Sequence, residues 1–147
     1  MEAMSSNAKQ SLTNAKKLAE KLGDKNVGTE YLLYGLASVK AGIASRLLAQ
    51  VNVTSQAIES VLKQSKAYGG LSSSNLDFTP KVKNVIAMAV NICETYGPGY
   101  VVTEDLLYAV LVDTNCQAVR ILRDAFNVDV TSLTKSTADQ IRGVGFM

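Results

Sequence analysis

An eight-residue block occurs twice in the chain. Residues 27–34 read Val-Gly-Thr-Glu-Tyr-Leu-Leu-Tyr, and residues 101–108 read Val-Val-Thr-Glu-Asp-Leu-Leu-Tyr. Extending the match outward without gaps pairs residues 4–48 with residues 78–122, and 13 of these 45 positions are identical. The match includes chain-breaking glycines as well as apolar positions, so we interpret it as an internal duplication.

The first helix of each copy is marked by its periodicity and by its ends. Apolar residues recur at helical spacing over residues 4–22, and their partners do so over residues 78–96. Gly23 and Gly97 follow at positions suited to end a helix. Ser5 is the predicted N-cap in copy one; Thr79 is the predicted N-cap in copy two, and Pro80 follows it at the first helical position.

Three further helices are predicted in each copy. The second begins at Thr29 or Thr103, whose hydroxyl can cap free N–H groups, and the acid that follows suits the helix dipole. After the third helix, one inserted residue in copy two aligns Asn52 with Asn127. The third helices are expected at Ile43–Gln50 and Gln117–Ala125, and the fourth from near Thr54 and near Asp129.

The duplication sets the predicted domain organisation. Repeat one covers 4–62, a polar connector covers 63–77, repeat two covers 78–141, and an exit tail covers 142–147. A four-helix copy this short leaves much apolar surface uncovered when it is alone. We therefore expect two pseudo-symmetric four-helix repeats that pack into one all-α globular domain about a pseudo-twofold axis.

Composition excludes several classes of function. The chain of 147 residues has no histidine, which removes the usual general base and most zinc sites. It has no P-loop motif, and a net charge of +2 without a basic stripe argues against nucleic-acid binding. No apolar run is long enough for a membrane span. Cys93 and Cys116 are expected to be reduced, packed thiols.

The pattern as a whole resembles a known family. A helix that ends in Leu-Gly is followed by the block at 27–36, by Gly-Ile-Ala-Ser-Arg-Leu-Leu at 42–48, and by a repeat that starts with Phe-Thr-Pro-Lys at 78–81. This arrangement resembles the tandem Clp N-terminal domain of bacterial AAA+ unfoldases, most closely the ClpC type. The resemblance covers nearly the whole chain.

The resemblance implies a binding domain and not an enzyme. It implies a mobile recognition head that contacts adaptor proteins and protein substrates in the cytoplasm, on an unfoldase that passes chains to a ClpP-type peptidase. ATP and magnesium would act in ATPase modules outside this domain, which itself needs no cofactor and no metal. Neither nucleic acid nor membrane is an expected partner, and the isolated domain is expected to be monomeric.

The ClpC resemblance also implies binding of phosphoarginine, a degradation mark. A site for it needs an acid for the guanidinium N–H groups and donors for the phosphate oxygens. The matching positions in copy one are Glu30 and Ser5. In copy two they are Glu104, Thr79 and Lys83.

Departures from the family pattern rank the two predicted sites. Tyr31 and Asp105 stand where the family often has His, and Val102 replaces the glycine of copy one. Copy one lacks the aromatic-Thr-x-basic start seen at 78–81, although Lys9 keeps a positive charge there. We therefore expect Glu104→Ala to weaken phosphoarginine binding more than Glu30→Ala.

Each of these residues also has a purely structural interpretation. Glu30 and Glu104 suit a helix start, where a capping acid is expected to be exposed. Ser5 and Thr79 suit N-caps, and Lys83 suits a solvated helix face.

Two other functions remain open at this stage. The first is the N-terminal domain of a ClpB-type disaggregase, which contacts exposed hydrophobic segments. The second is a stand-alone helical scaffold protein, which a Walker A motif downstream of Met147 would exclude.

Overall fold

The helices lie in the segments where the duplicated sequence pattern predicts them. The computed structural model describes residues 3–65 and 76–142 and contains, within those ranges, eight helices and two short strands. The elements of copy one are α1 (Ser6–Lys21), β1 (Asn26–Val27), α2 (Thr29–Ser38), α3 (Ile43–Gln50) and α4 (Ser55–Ser65). Those of copy two are β2 (Asp77–Phe78), α5 (Pro80–Tyr96), α6 (Thr103–Leu111), α7 (Gln117–Asp124) and α8 (Val130–Arg142).

The two predicted N-caps of the first helices are confirmed. The Ser5 hydroxyl accepts a hydrogen bond from the backbone N–H of Ala8 at 3.1 Å. The Thr79 hydroxyl accepts one from Val82 at 3.3 Å, and Pro80 is the first residue of α5. Each hydroxyl therefore satisfies one of the free N–H groups at a helix start.

Residues with a left-handed backbone conformation follow the helices at equivalent positions of the two copies. Gly23 (φ 75°) comes just after α1, and Gly97 (φ 81°) is the C-cap of α5. Asn52 (φ 64°) and Asn127 (φ 56°) follow α3 and α7, and asparagine tolerates this conformation better than most residues. The aligned asparagines thus mark the same turn in both copies. Helix α7 ends at Asp124, one residue before the predicted end at Ala125.

The predicted connector at 63–77 is bounded by regular structure on both sides. Helix α4 continues to Ser65, and β2 begins at Asp77. Helix α8 continues to Arg142, the first residue of the predicted tail. Residues 66–75 of the predicted connector and residues 143–147 of the predicted tail lie outside the described residues. Leu76, which also belongs to the connector, is described.

Short backbone pairings cross between the copies, which the sequence did not predict. Strand β1 pairs in parallel with β2, and the backbone N–H of Thr79 donates to Val27 O at 3.0 Å. The equivalent pairing joins Met4 to Val101, and the N–H of Ser5 donates to Val101 O at 2.8 Å. The start of each copy's first helix is therefore held against the other copy.

One hydrophobic core includes residues from both copies. It contains the apolar positions of the duplicated block and of the helices around it. The fully buried members with the largest side chains include Leu32, Leu33 and Leu36 of α2, and Leu106, Leu107 and Leu111 of α6. The prediction of two pseudo-symmetric repeats that share one all-α body is confirmed, with α2 and α6 at its centre.

The most apolar helices are core helices. Among the described residues, no single helix is long and apolar enough to cross a membrane. Helices α2 and α3 reach the required length and hydropathy only together, across a 97° bend. Leu36 of α2 and Leu48 of α3 are fully buried in the protein core.

Candidate functional site

The duplicated threonines join the two copies. The Thr29 hydroxyl accepts a hydrogen bond from the backbone N–H of Ala118 at 3.1 Å. The Thr103 hydroxyl accepts one from Ala44 at 3.2 Å. We expected each threonine to cap its own helix, but each is the first residue of that helix and its side chain caps the third helix of the other copy.

This exchange of caps has a simple cause. Gly42 stands at the N-cap of α3 and has no side chain with which to cap it. A Cβ at that position would lie 2.9 Å from the Thr103 hydroxyl oxygen, so the threonine occupies the space that the missing side chain leaves. In copy two the N-cap of α7 is Cys116, whose buried thiol contacts Val110 O at 3.6 Å instead.

The two predicted acids are buried. Glu30 and Glu104 are each only 9% exposed, so the expectation of an exposed capping acid is wrong for both. Each glutamate follows a threonine whose hydroxyl is hydrogen-bonded to the other copy. A carboxylate in such surroundings forms stronger electrostatic interactions than one in water.

The surroundings of Glu104 make its charged form costly. Burial raises the pKa of its carboxyl group above the ordinary value. Hydrogen bonds from its own backbone and from the Thr103 hydroxyl, which lies 3.5 Å from Oε1, oppose this shift. The charge of Arg46 on α3 opposes it further, which places a cation of copy one within electrostatic range of an acid of copy two.

The carboxylate of Glu30 lies in a position that the carboxylate of the equivalent Glu104 cannot reach. A Cβ built on Gly28 would overlap the Glu30 carboxylate, so this carboxylate lies back over the Gly28 backbone. Val102 occupies the equivalent position in copy two and does carry a Cβ. The carboxylate of Glu104 is therefore excluded from the place that Glu30 occupies.

The residues after the two glutamates also differ. Asp105 is 1% exposed and accepts a hydrogen bond from the backbone N–H of Val102 at 3.1 Å. Burial raises the pKa of Asp105 to about 6; the Val102 N–H opposes this shift and the charge of Glu104 adds to it. The equivalent Tyr31 is fully buried and donates its hydroxyl to Asp24 Oδ2 at 2.7 Å.

The predicted phosphate-binding residues lie across the interface from the acids of their own copy. We grouped Glu30 with Ser5, and Glu104 with Thr79 and Lys83. The backbone pairing instead holds Thr79 against Val27, three residues before Glu30. It holds Ser5 against Val101, three residues before Glu104. The grouping within each copy is therefore replaced by a crossed grouping.

This crossing defines two candidate composite sites. The Glu30 site consists of residues 28–30 of copy one with Thr79 and Lys83 of copy two. The Glu104 site consists of residues 102–105 of copy two with Ser5 and Lys9 of copy one. Lys83 lies one turn into α5 and forms an exposed ion pair with Asp77 at 3.0 Å.

A second surface, which was not predicted from the sequence, lies on copy two. A mainly apolar groove between α5, α6 and α8 consists of two adjoining hollows that share Tyr108 and Ala138. The first is also lined by Met88, Ile92, Tyr96 and Ile141, and the second is lined by Leu111, Val112 and Val130 together with the polar Thr114, Thr131, Thr134 and Lys135. Met88, Tyr96 and Val112 are 38%, 48% and 37% exposed. These side chains leave apolar surface open to solvent along the groove.

Copy one has polar contacts where copy two has the apolar groove. Asn14 and Ser38 are equivalent to Met88 and Val112, and the Asn14 amide donates to the Ser38 hydroxyl at 2.8 Å. Glu59 of α4 also accepts from Lys21 of α1 at 2.8 Å. The difference between aligned residues was the available sequence signal for this groove.

The fold defines a class: a duplicated all-α domain whose two copies share one core and pair with each other through short backbone contacts. The family model of the Clp repeat (R) N-terminal domain matches residues 3–125. The chain belongs to this family, and it is a Clp N-domain.

Known proteins agree with this assignment. The ATP-dependent Clp protease ATP-binding subunit ClpC of Staphylococcus epidermidis is 28% identical over 138 residues, which are 94% of this chain and 16% of that protein. The N-terminal domain of ClpD from Arabidopsis thaliana has a TM-score of 0.77 at 22% identity and covers 94% of this chain and 96% of its own. A ClpV N-domain in complex with a VipB peptide has a TM-score of 0.69 at 14% identity, with 94% and 86% covered.

Proposed function

We propose that this Clp N-domain recognises adaptor proteins and protein substrates for a ClpC-like ATP-dependent unfoldase, and that its composite sites bind phosphoarginine. The similarity to ClpC over 94% of the chain supports the first part. The parent protein would act in the cytoplasm with a ClpP-type peptidase. ATP and magnesium would bind its ATPase modules.

The observation that carries the phosphoarginine proposal is a buried acid beside a capped helix start in each composite site. Glu30 and Glu104 are 9% exposed and can accept hydrogen bonds from the guanidinium-derived N–H groups. Thr79 and Ser5 stand at the starts of α5 and α1, where backbone N–H groups and the helix dipole favour a phosphate. The two parts of the ligand therefore have complementary partners on opposite copies.

A calorimetric titration of the 147-residue chain with free phosphoarginine tests this proposal. We expect saturable heat, and free arginine at the same concentration serves as the control because it lacks the phosphate. The absence of heat at millimolar phosphoarginine, or equal binding of arginine, would reject the proposal.

The apolar groove supports a second candidate function, the capture of exposed hydrophobic segments, as expected of a ClpB-type domain. The solved ClpV N-domain complex shows that a domain of this fold takes a peptide. Met88, Tyr96 and Val112 provide exposed apolar surface for such a segment.

Substitutions copied from the other repeat test the groove. Met88→Asn with Val112→Ser introduces the polar pair of Asn14 and Ser38. We expect it to lower the affinity for reduced, carboxymethylated α-lactalbumin, an unfolded protein, by about tenfold, since two buried apolar contacts are lost. Tyr100→Ser is the matched control, because Tyr100 is 44% exposed and does not line the groove. Equal effects of both variants would contradict a role of the groove.

A further inference from the structure

The backbone pairing between the two copies brings together family-like residues that belong to different copies in the sequence. Gly28 and Glu30 belong to copy one, whereas Thr79, Pro80 and Lys83 belong to copy two. The hydrogen bond from the N–H of Thr79 to Val27 O holds these two sets against each other. The Glu104 site combines Val102 and Asp105 of copy two with Ser5 at the start of α1.

From this arrangement, and resting on the proposed phosphoarginine function, we infer that the two sites are unequal. The Glu30 site is the ligand-binding site of this protein, and the Glu104 site is a weakened copy. This order is the reverse of the one expected when each acid is grouped with the helix start of its own copy.

The first difference lies in the residue two positions before each acid. The Glu30 carboxylate occupies space that is open only because Gly28 has no Cβ. There it lies one residue from Val27, whose carbonyl holds the start of α5. Val102 closes this space in the other site, so Glu104 lies beside the Thr103 hydroxyl at 3.5 Å. A guanidinium group that bridges the acid and the helix start is accommodated better at Gly28.

The second difference lies in the residue that follows each acid. Tyr31 is uncharged, and its hydroxyl is hydrogen-bonded to Asp24 at 2.7 Å. Asp105 places a second buried carboxylate directly beside Glu104. Like charges in surroundings of low dielectric repel strongly, so Asp105 disfavours a phosphate in the Glu104 site.

The third difference is the supply of cations at the helix start. Lys81 and Lys83 lie in the first turns of α5, and the ammonium group of Lys16 lies 5.1 Å from the ring centre of Phe78. Lys81 and Lys83 pair with Asp113 and Asp77, and all four side chains are at least 32% exposed. Such exposed pairs contribute little to stability, so the lysines can turn towards a phosphate at small cost. The first turns of α1 carry Lys9 alone.

Matched substitutions of the two acids test the inference. The 147-residue chain would be titrated with phosphoarginine as wild type, Glu30→Gln and Glu104→Gln, with the thermal midpoint of each variant as the folding control. We expect one ligand per chain for the wild type. Glu30→Gln should lower the affinity at least about tenfold, the value of one charge-assisted hydrogen bond, and Glu104→Gln less than twofold.

A gain of binding provides the second test. Val102→Gly with Asp105→Asn reopens the space beside Glu104 and removes the second charge, while the asparagine oxygen can still accept from the N–H of residue 102. We expect the stoichiometry of this variant to rise from one ligand per chain towards two. An unchanged stoichiometry in a folded variant would overturn the inference.

The possible failures can be told apart. Equal losses for Glu30→Gln and Glu104→Gln, or a larger loss for Glu104→Gln, would overturn the inequality of the sites and leave the proposed function standing. No binding of phosphoarginine to the wild type at millimolar concentration would overturn the proposed function and this inference with it.

Discussion

The side chain of Thr29 caps the helix that contains Ala118, a residue 89 positions later in the chain. The hydrogen bond between them measures 3.1 Å and is buried. Its symmetric partner joins Thr103 to Ala44 at 3.2 Å. Two buried side-chain bonds therefore fasten the copies together at the residues that precede the acids of the candidate sites.

Thr29→Val should destabilise the protein by about 1–3 kcal/mol. Valine keeps the shape of threonine but leaves the N–H of Ala118 without its acceptor in a buried place. Urea unfolding measures the change. Thr13→Val is the control, because Thr13 is exposed on α1, and it should change the stability by less than about 0.5 kcal/mol. Equal effects would mean that the cap contributes nothing.

The shared core predicts that the two copies unfold together. Amide hydrogens of α2 and α6 should exchange with the same free energy of opening, because residues of both helices belong to one buried cluster. Native-state hydrogen exchange at increasing denaturant measures this energy for each amide. Two separate plateaus, one for each copy, would show that the copies are independent folding units.

Gly35→Ala should destabilise the protein although alanine is native at the equivalent position 109. A Cβ on Gly35 would overlap the backbone carbonyl of Ser11, so α1 and α2 must move apart, at a cost of about 1–3 kcal/mol. Ala109→Gly is the reciprocal control and should cost about 1–2 kcal/mol, from helix propensity and the loss of one buried methyl group. Thermal or urea unfolding measures both, and a stabilising Gly35→Ala would contradict the close packing.

Asp105 should make the protein less stable as the pH rises from about 4 to about 6. Burial raises the pKa of Asp105 to about 6 in the folded state, whereas the unfolded chain ionises near its ordinary value of about 3.9. Between these values the folded state binds the proton more tightly, so stability falls with rising pH. Urea unfolding at several pH values should show that Asp105→Asn removes part of this decline.

A second aspartate provides the control for this pH experiment. The hydrogen bond from Lys83 lowers the pKa of Asp77, and the N–H of Phe78 and the lysine charge lower it further. The stability that Asp77 contributes is therefore lost only below about pH 4. Asp77→Asn should leave the change of the unfolding free energy between about pH 4.5 and about pH 7 the same as in the wild type. If the unfolding free energy of Asp105→Asn changed with pH as it does in the wild type, Asp105 would not be the cause of the decline.

Much of the fold could be predicted from the sequence because its signals are local. The Ser5 and Thr79 caps, the Gly23 ending and the start of α3 at Ile43 depend on residues within one turn. The acids of the candidate sites were identified from the duplicated block. Their burial was not predicted, because a residue at a helix start becomes buried only when another element packs over it, and that packing is decided by residues far away in the chain.

The duplicated set of helices could be predicted from the sequence alone, because caps, breakers and apolar periodicity act within a few residues. Which helix start lies near which acid depends on how the two copies pack. The two copies present nearly the same pairing groups, so the sequence does not distinguish Thr79 beside Val101 of its own copy from Thr79 beside Val27 of the other. The packing of both copies around one core decides it, and it places Thr79 beside Val27, in the block that carries Gly28 and Glu30.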